Sequence, residues 1–372
     1  MLEKSITIIA LTGLASGAAF AGGVTLHGAV DAGLEYTHVS NHDGHQNTFK
    51  AVDGLDTANR IGIRGSESLG NGLEAGFVLE NGFNLMNGAM NDGDAGDTSR
   101  FFGREALLFM SSPAGTFAVG RQGAISSGFG TFGRFGDEVS VLGDGRGAVP
   151  GLKSVVGMTA QRLDNAFTYE SPSFGGVNLL GQYAAKTQDR HGWFDSPNER
   201  FIAIGATYKG SGVYGSAIVD SLMRPDGKPD GHKLSLGGHV ALGDATVYAA
   251  TQFWKDLDLN VPAISSTAMR PVDLKSGGDN PFTKGFGMNL GASYKLGRGA
   301  IKGDFGYAHA SQLNADTRLN RFIASAGYDY PLSRRTTVYA DGGVMFDRYS
   351  KPADGDKNAN TLSVNVGMAH KF

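Results

Sequence analysis

The sequence predicts an all-β protein, a 16-stranded antiparallel transmembrane β-barrel with one long loop folded into its lumen. Three observations predict it. Sixteen runs alternate apolar and polar side chains with period two. The connections between them alternate between tight glycine turns and long polar stretches, the asymmetry of a barrel whose two ends face different compartments. Finally, residues 122–161 carry no sustained period although every neighbour is a short strand. Inside such an architecture a structureless stretch of that length is uncommon and usually functional.

Composition fits this class. Glycine makes up 57 of 372 residues, about twice the usual share of roughly 7%, and is spread through strands and turns instead of forming one tract. Hydrophobic residues are 41% and mean hydropathy is slightly negative. A barrel gives that average because lipid-facing and lumen-facing residues cancel. The net charge of −3 is too small to imply nucleic acid or a polybasic membrane patch. With no cysteine, disulfides, thiol catalysis and thiolate metal sites are excluded.

The first 21 residues read as a secretory signal: Lys4 in a short polar start, an apolar run from Ile6 to Ala19, then Ala19-Phe20-Ala21 with small residues at the two peptidase positions. Cleavage is expected after Ala21, leaving 22–372 as a single barrel. A membrane anchor would need about 18–20 unbroken apolar residues, and Gly13 and Gly17 interrupt this run.

In order, the first strand is Val24–Tyr36. The second, from Arg60 to Ser66, sets Ile61 and Ile63 on one face and Arg60, Gly62 and Arg64 on the other, faces that a period-two strand cannot mix. Leu69-Gly-Asn-Gly72 turns into the third strand, where Leu73, Ala75, Phe77 and Leu79 lie on one face and Glu74 and Glu80 on the other. A fourth strand is expected over 100–110, and a fifth, Gly115–Arg121, and a sixth, Arg162–Tyr169, flank the long loop. Ten more follow near 177–187, 200–209, 212–222, 232–242, 245–256, 285–296, 299–310, 319–330, 335–348 and 361–372. Short turns such as Lys209–Gly212 and Leu296–Gly299 take their chemistry from glycine. Long polar connections are expected near 39–58, 85–99, 188–199, 223–231, 257–284, 311–318 and 349–360. The last strand alternates Leu362, Val364, Val366 and Met368 against Ser363, Asn365 and Gly367, and closes on Phe372.

Six pieces in order, Val24–Gly28, Asn59–Glu67, Phe102–Ala106, Gly115–Gln122, Tyr169–Pro172 and Gly367–Phe372, resemble the trimeric general porins of Gram-negative outer membranes, in their beta-proteobacterial branch. The resemblance implies sixteen strands, a homotrimer, a third extracellular loop narrowing each pore, and Phe372 as the assembly signal. It also implies a wall cluster of Arg60, Arg104 and Arg162 with the carboxylate Glu80 among them, opposite loop acids. Asp137, Glu138 and Asp144 are the candidate acids, accompanied in the loop by Arg134, Arg146 and Lys153, and Arg64 is a secondary lumen residue. If Arg104 faces the lumen, strict alternation sends Glu105 towards lipid unless it lies near the rim.

Positive wall and negative loop charges would set a transverse field across a water-filled constriction, and excess arginine would favour anions. The function expected is passive diffusion of small hydrophilic solutes and ions through the outer membrane. A substrate-selective channel for organic acids or phosphate is the alternative, and a secreted soluble β-barrel binding protein is a weaker one. No catalysis, cofactor or metal is expected. Gly128-Phe-Gly130-Thr-Phe-Gly133 has dinucleotide-loop spacing but opens no helix. His38, His42, Asp43 and His45 sit in an external connection, where polar residues are ordinary. Asp92/Asp94 and Asp354/Asp356 lack the distal glutamate of a calcium loop. Tyr36, Tyr183, Tyr208, Tyr294, Tyr328, Tyr339, Tyr349 and Trp254 are read as interfacial girdle or barrel packing.

Overall fold

The computed structural model describes residues 23–42, 44–90, 100–157, 161–185, 199–224, 230–258, 282–312, 318–350 and 358–372. The expected signal peptide and the Asp92/Asp94 and Asp354/Asp356 stretches lie outside them. The wall strands form one closed antiparallel sheet with sixteen wall positions, and a separate two-residue ladder pairs Gly145–Arg146 with Val149–Pro150 in the long loop. They are β1 Thr25–Asn41, β2 in two runs (Gly44–Asp53 and Arg60–Gly70), β3 Leu73–Gly82, β4 Glu105–Ser112, β5 Gly115–Gly123, β6 Arg162–Glu170, β7 Val177–Ala184 and β8 Arg200–Gly210. The ring continues with β9 Val213–Met223, β10 Gly231–Leu242, β11 Ala245–Asp258, β12 Phe282–Leu296, β13 Gly299–Gln312, β14 Arg318–Pro331, β15 Thr336–Ser350 and β16 Ala359–Lys371. Strand β16 pairs with β1 from Ala29↔Lys371 to Asn41↔Ala359. Gly28 and Phe372 then exchange two backbone hydrogen bonds of 3.0 Å, so no edge is left between first and last strand. In a bilayer that closure satisfies backbone groups that hydrocarbon cannot.

Alternation separates the two surfaces. Leu108, Met110, Phe117, Phe167, Ile204, Leu290, Phe305 and Phe322 point outward and are exposed, a surface suited to lipid. Asp31, Glu35, Gln182, Gln252, Asp304, Arg321, Asp341 and Asn365 point inward and are buried. Tyr183, Tyr208 and Tyr294 belong to the outer surface, whereas Tyr339 and Trp254 are buried packing residues. The turn after β2 places Asn71 and Gly72 at φ 52° and 75°, the left-handed pair that matches hairpin twist.

Two segments depart from simple alternation. The expected connection over 39–58 is mostly strand: β1 runs on to Asn41 and pairs with Gly44–Asp53. Only residues 54–59 leave the wall, and they fold inward onto Asp31. Its carboxylate accepts the amides of Asp56 (2.6 Å) and Thr57 (2.7 Å) and the Tyr339 hydroxyl (2.6 Å), while Leu55 packs on Tyr339 and Ala369. The polar composition of 44–53 concealed a paired extension of the wall. The fourth strand starts at Glu105, because a turn at Phe101–Phe102 occupies the first expected positions.

Candidate constriction

The segment between β5 and β6 is fastened to strands all around the ring, which places it across the lumen. Near its start, Ile125 N–H donates to Gln182 of β7 (2.9 Å), and Thr131 donates its amide (2.7 Å) and hydroxyl (3.0 Å) to Glu105 of β4. Arg134 pairs with Glu170 of β6 (2.7 Å), and Tyr214 of β9 donates to its carbonyl (3.2 Å). His239 of β10 faces Glu138, 2.8 Å from its carbonyl and 3.5 Å from its carboxylate. At the far side the Ala148 amide donates to Glu35 of β1 (2.6 Å), and Asn365 of β16 donates to the Arg146 carbonyl. The segment returns past Ser325 and Arg321 of β14, which donate to the carbonyls of Pro150 (2.8 Å) and Ser154 (3.1 Å), and past Gln252 of β11, which accepts from Gly157 (2.7 Å).

Arg146 is the main fastening at the far side. Its guanidinium is almost fully buried and meets Asp329 (2.6 and 3.0 Å), Asp341 (3.0 and 3.1 Å) and Asp56 (2.5 Å), with the Tyr339 ring 5.1 Å away. Burial alone would lower its pKa, but Asp329, Asp56 and Asp341 together hold it above the ordinary arginine value. Glycine on the wall admits the loop closely. A Cβ on Gly287 would stand 1.6 Å from the Val155 carbonyl oxygen, one on Gly291 2.5 Å from Val141, and one on Gly237 2.8 Å from Val139.

The opposite wall carries the arginines. Glu80 of β3 takes a hydrogen bond from Arg104 Nε (2.6 Å) and lies 3.4 Å from Arg60 Nε, with His27 of β1 4.0 Å away. One carboxylate thus sits between two guanidiniums. Arg162, at the start of β6 opposite Gly123, lies under the Phe129 ring at 5.0 Å and is only 2% exposed. It acts electrostatically on Glu80 and on Asp144. Arg64, paired with Thr25, also points inward.

The three loop acids separate. Asp137 is open to lumen water and lies within the electrostatic environment of Arg60. Enclosure by the barrel, reinforced by Asp56, pushes its carboxyl above the usual range. Burial raises Asp144 to about 6 against the pull of Lys153 and Arg162, and the same burial lowers the Lys153 amine. Glu138 is instead held by His239, and Arg134 by Glu170, so these two brace the loop and do not join the arginine cluster.

Glu105 corrects the sequence expectation. It points inward and is bonded to Thr131, because the turn before it lets Arg104 reach Glu80 without extending the strand. Arg104 and Glu105 therefore share the interior although they are adjacent. Sequence reasoning also gave no role to the Asp56, Asp329 and Asp341 cage or to the Phe129 cover. Period two does place Asp341 inward, but nothing local announces its loop partner.

A family model described as Gram-negative porin matches residues 6–350. An outer membrane porin protein of Bordetella pertussis is 28% identical over 403 residues, covering 100% of both chains. Outer membrane porin protein 32 of Delftia acidovorans is 28% identical over 376 residues, covering 98% of this chain and 92% of that one. Among solved structures, an anion-selective porin from Comamonas acidovorans superposes with TM-score 0.70 at 23% identity, covering 95% of this chain and 100% of its own. OmpT of Vibrio cholerae, described in a trimer form, gives 0.58 at 14% identity, covering 95% and 100%. At such identities the structural likenesses speak for the fold alone.

Proposed function

This chain belongs to the Gram-negative porin family, and we propose that Arg60, Arg104, Arg162 and Glu80, facing Asp137 and Asp144, form the constriction that biases its outer-membrane pore towards small anions. Porins are water-filled channels, and the chain's function needs only positioning of charge, with no bond made or broken. The observation carrying the proposal is the sharing of Glu80 by Arg104 at 2.6 Å and Arg60 at 3.4 Å. That one carboxylate keeps two like charges side by side in the wall. Lysine 153 adds a cation from the loop, while Asp144 loses part of its charge as the pH falls towards about 6. Four cations (Arg60, Arg104, Arg162, Lys153) face four carboxylates (Glu80, Glu105, Asp137, Asp144), and the raised loop acids tip this balance towards positive charge, which stabilises an anion relative to a cation.

The loop 122–161 is the constriction element in this proposal, and its fastening at both sides supports that role. We also assign a homotrimer, supported by the trimer form described for a protein of the same fold. The mature barrel begins after a signal peptide of residues 1–21, supported by the apolar run ending in Ala19-Phe20-Ala21. Purified protein in planar bilayers under a potassium chloride gradient tests the selectivity. The expected reversal potential has the sign of chloride preference, and the sign of potassium preference would overturn the proposal. Insertions in conductance triplets support the trimer, and single steps contradict it. Conductance that rises linearly with solute marks passive diffusion, and saturation by one solute marks a selective channel.

A further inference from the structure

We propose that Phe129 determines how strongly the pore prefers anions, by covering the Arg162 guanidinium and keeping permeating ions from touching it. The proposal rests on the pore reading above. Arg162 stands on the wall at the start of β6, yet only 2% of it is exposed, and the Phe129 ring lies 5.0 Å from its guanidinium carbon. The ring is half-buried between Gly128 and Gly130, which are exposed, so it is the surface that a solute meets where the charge would otherwise be.

Its position is built into the loop. A Cβ on Gly123 would stand 1.9 Å from the Phe129 carbonyl oxygen, and one on Gly133 2.4 Å from the same atom. Gly130 has φ +69°, and a Cβ there would stand 2.4 Å from Glu105. Three glycines and the Glu105–Thr131 bonds therefore seat residue 129 against the wall.

A cation over an aromatic face is attracted by the ring quadrupole, which offsets part of the cost of giving up water there. Its field still reaches the lumen, so Arg162 contributes to long-range attraction. What the ring removes is contact: an anion cannot form an ion pair with the guanidinium. Of the wall cluster, Arg60 is the more open guanidinium, its side chain 26% exposed against 10% for Arg104. Selectivity by contact is thereby concentrated on Arg60, with Arg162 held in reserve behind a side chain.

Reversal potentials of the wild type, Phe129→Ala, Arg162→Gln and the double variant test this, with barrel formation checked by heat-dependent gel mobility. Phe129→Ala is expected to raise the chloride-to-potassium permeability ratio roughly two- to five-fold, the scale of one exposed ion pair. The double variant is expected to show no such rise over Arg162→Gln alone. An unchanged ratio in Phe129→Ala overturns the proposal, as does a rise that persists when Arg162 is also replaced. A wider pore without a change of ratio counts as the first of these. A wild type that forms no channel refutes the pore reading instead.

Discussion

Arg146 and Asp329 meet in a two-point ion pair, 2.6 and 3.0 Å long, between the middle of the loop and strand β14 on the far wall. Asp341 and Asp56 crowd the same guanidinium, so three carboxylates depend on one cation together with Lys302, which lies 2.6 Å from Asp329. Paired fork geometry of this kind fixes orientation as well as distance.

Replacing Arg146 with Gln should release this end of the loop. Removing one partner of a buried ion network costs about 3 kcal/mol or more, because the carboxylates left behind repel one another. The sheet has its own ladder and should still close. The expected outcome is a barrel with normal heat-dependent mobility but noisier single-channel current and larger, variable conductance. A quiet wild-type trace would refute the latch.

Selectivity should depend on pH through Asp144. Its carboxyl is raised to about 6 by burial, so it is about nine-tenths ionised at pH 7 and about one-tenth at pH 5. Acidification through that window removes a negative charge near Arg162 and Lys153, and anion preference should increase. Asp137, also raised by its enclosure, moves in the same direction. For stability, a raised acid favours the folded chain as pH falls through about 6 towards the ordinary aspartate value of 3.8. Reversal potentials at pH 7 and pH 5 should differ in the wild type and differ less in Asp144→Asn.

Glu80→Gln should strengthen anion preference and weaken the wall. The substitution removes the charge between Arg60 and Arg104 while keeping a hydrogen-bonding side chain. A rise in chloride preference together with a lower unfolding temperature in detergent is expected. A drop in chloride preference would contradict the role given to this carboxylate.

Glu105→Ala should loosen the loop at its start, since the Thr131 amide and hydroxyl lose their common acceptor. Leaving a buried amide without a partner costs about 1–3 kcal/mol. Faster proteolysis between residues 122 and 161, with the rest of the barrel resistant, is the expected result. A cleavage rate equal to that of the wild type would place the anchor elsewhere.

Much of the wall was legible because a side chain's face follows from its parity. Ile61 and Ile63 point out, and Arg60 and Arg64 in, for that reason alone. Parity fails where the backbone leaves the strand. The turn at Phe101–Phe102 brought Arg104 and Glu105 to the same side, and residues 54–59 turned inward inside what composition presented as an external connection. Within the loop no period exists to read, so charge alone could not separate Asp137 and Asp144 from Glu138. Their division was set by His239 on a strand about a hundred residues away in sequence.

The glycines at 237, 287 and 291 have a wider meaning. There the wall offers no side chain to swing aside: the Val155 carbonyl rests on Gly287, and the Val141 and Val139 side chains rest on Gly291 and Gly237. The free width of the passage is therefore set by main chain against main chain at Gly287 and by stiff valine side chains on bare wall at Gly237 and Gly291, and its size cutoff should stay sharp across temperature. Any larger residue at one of these three places would push the loop inward and make a finer mesh.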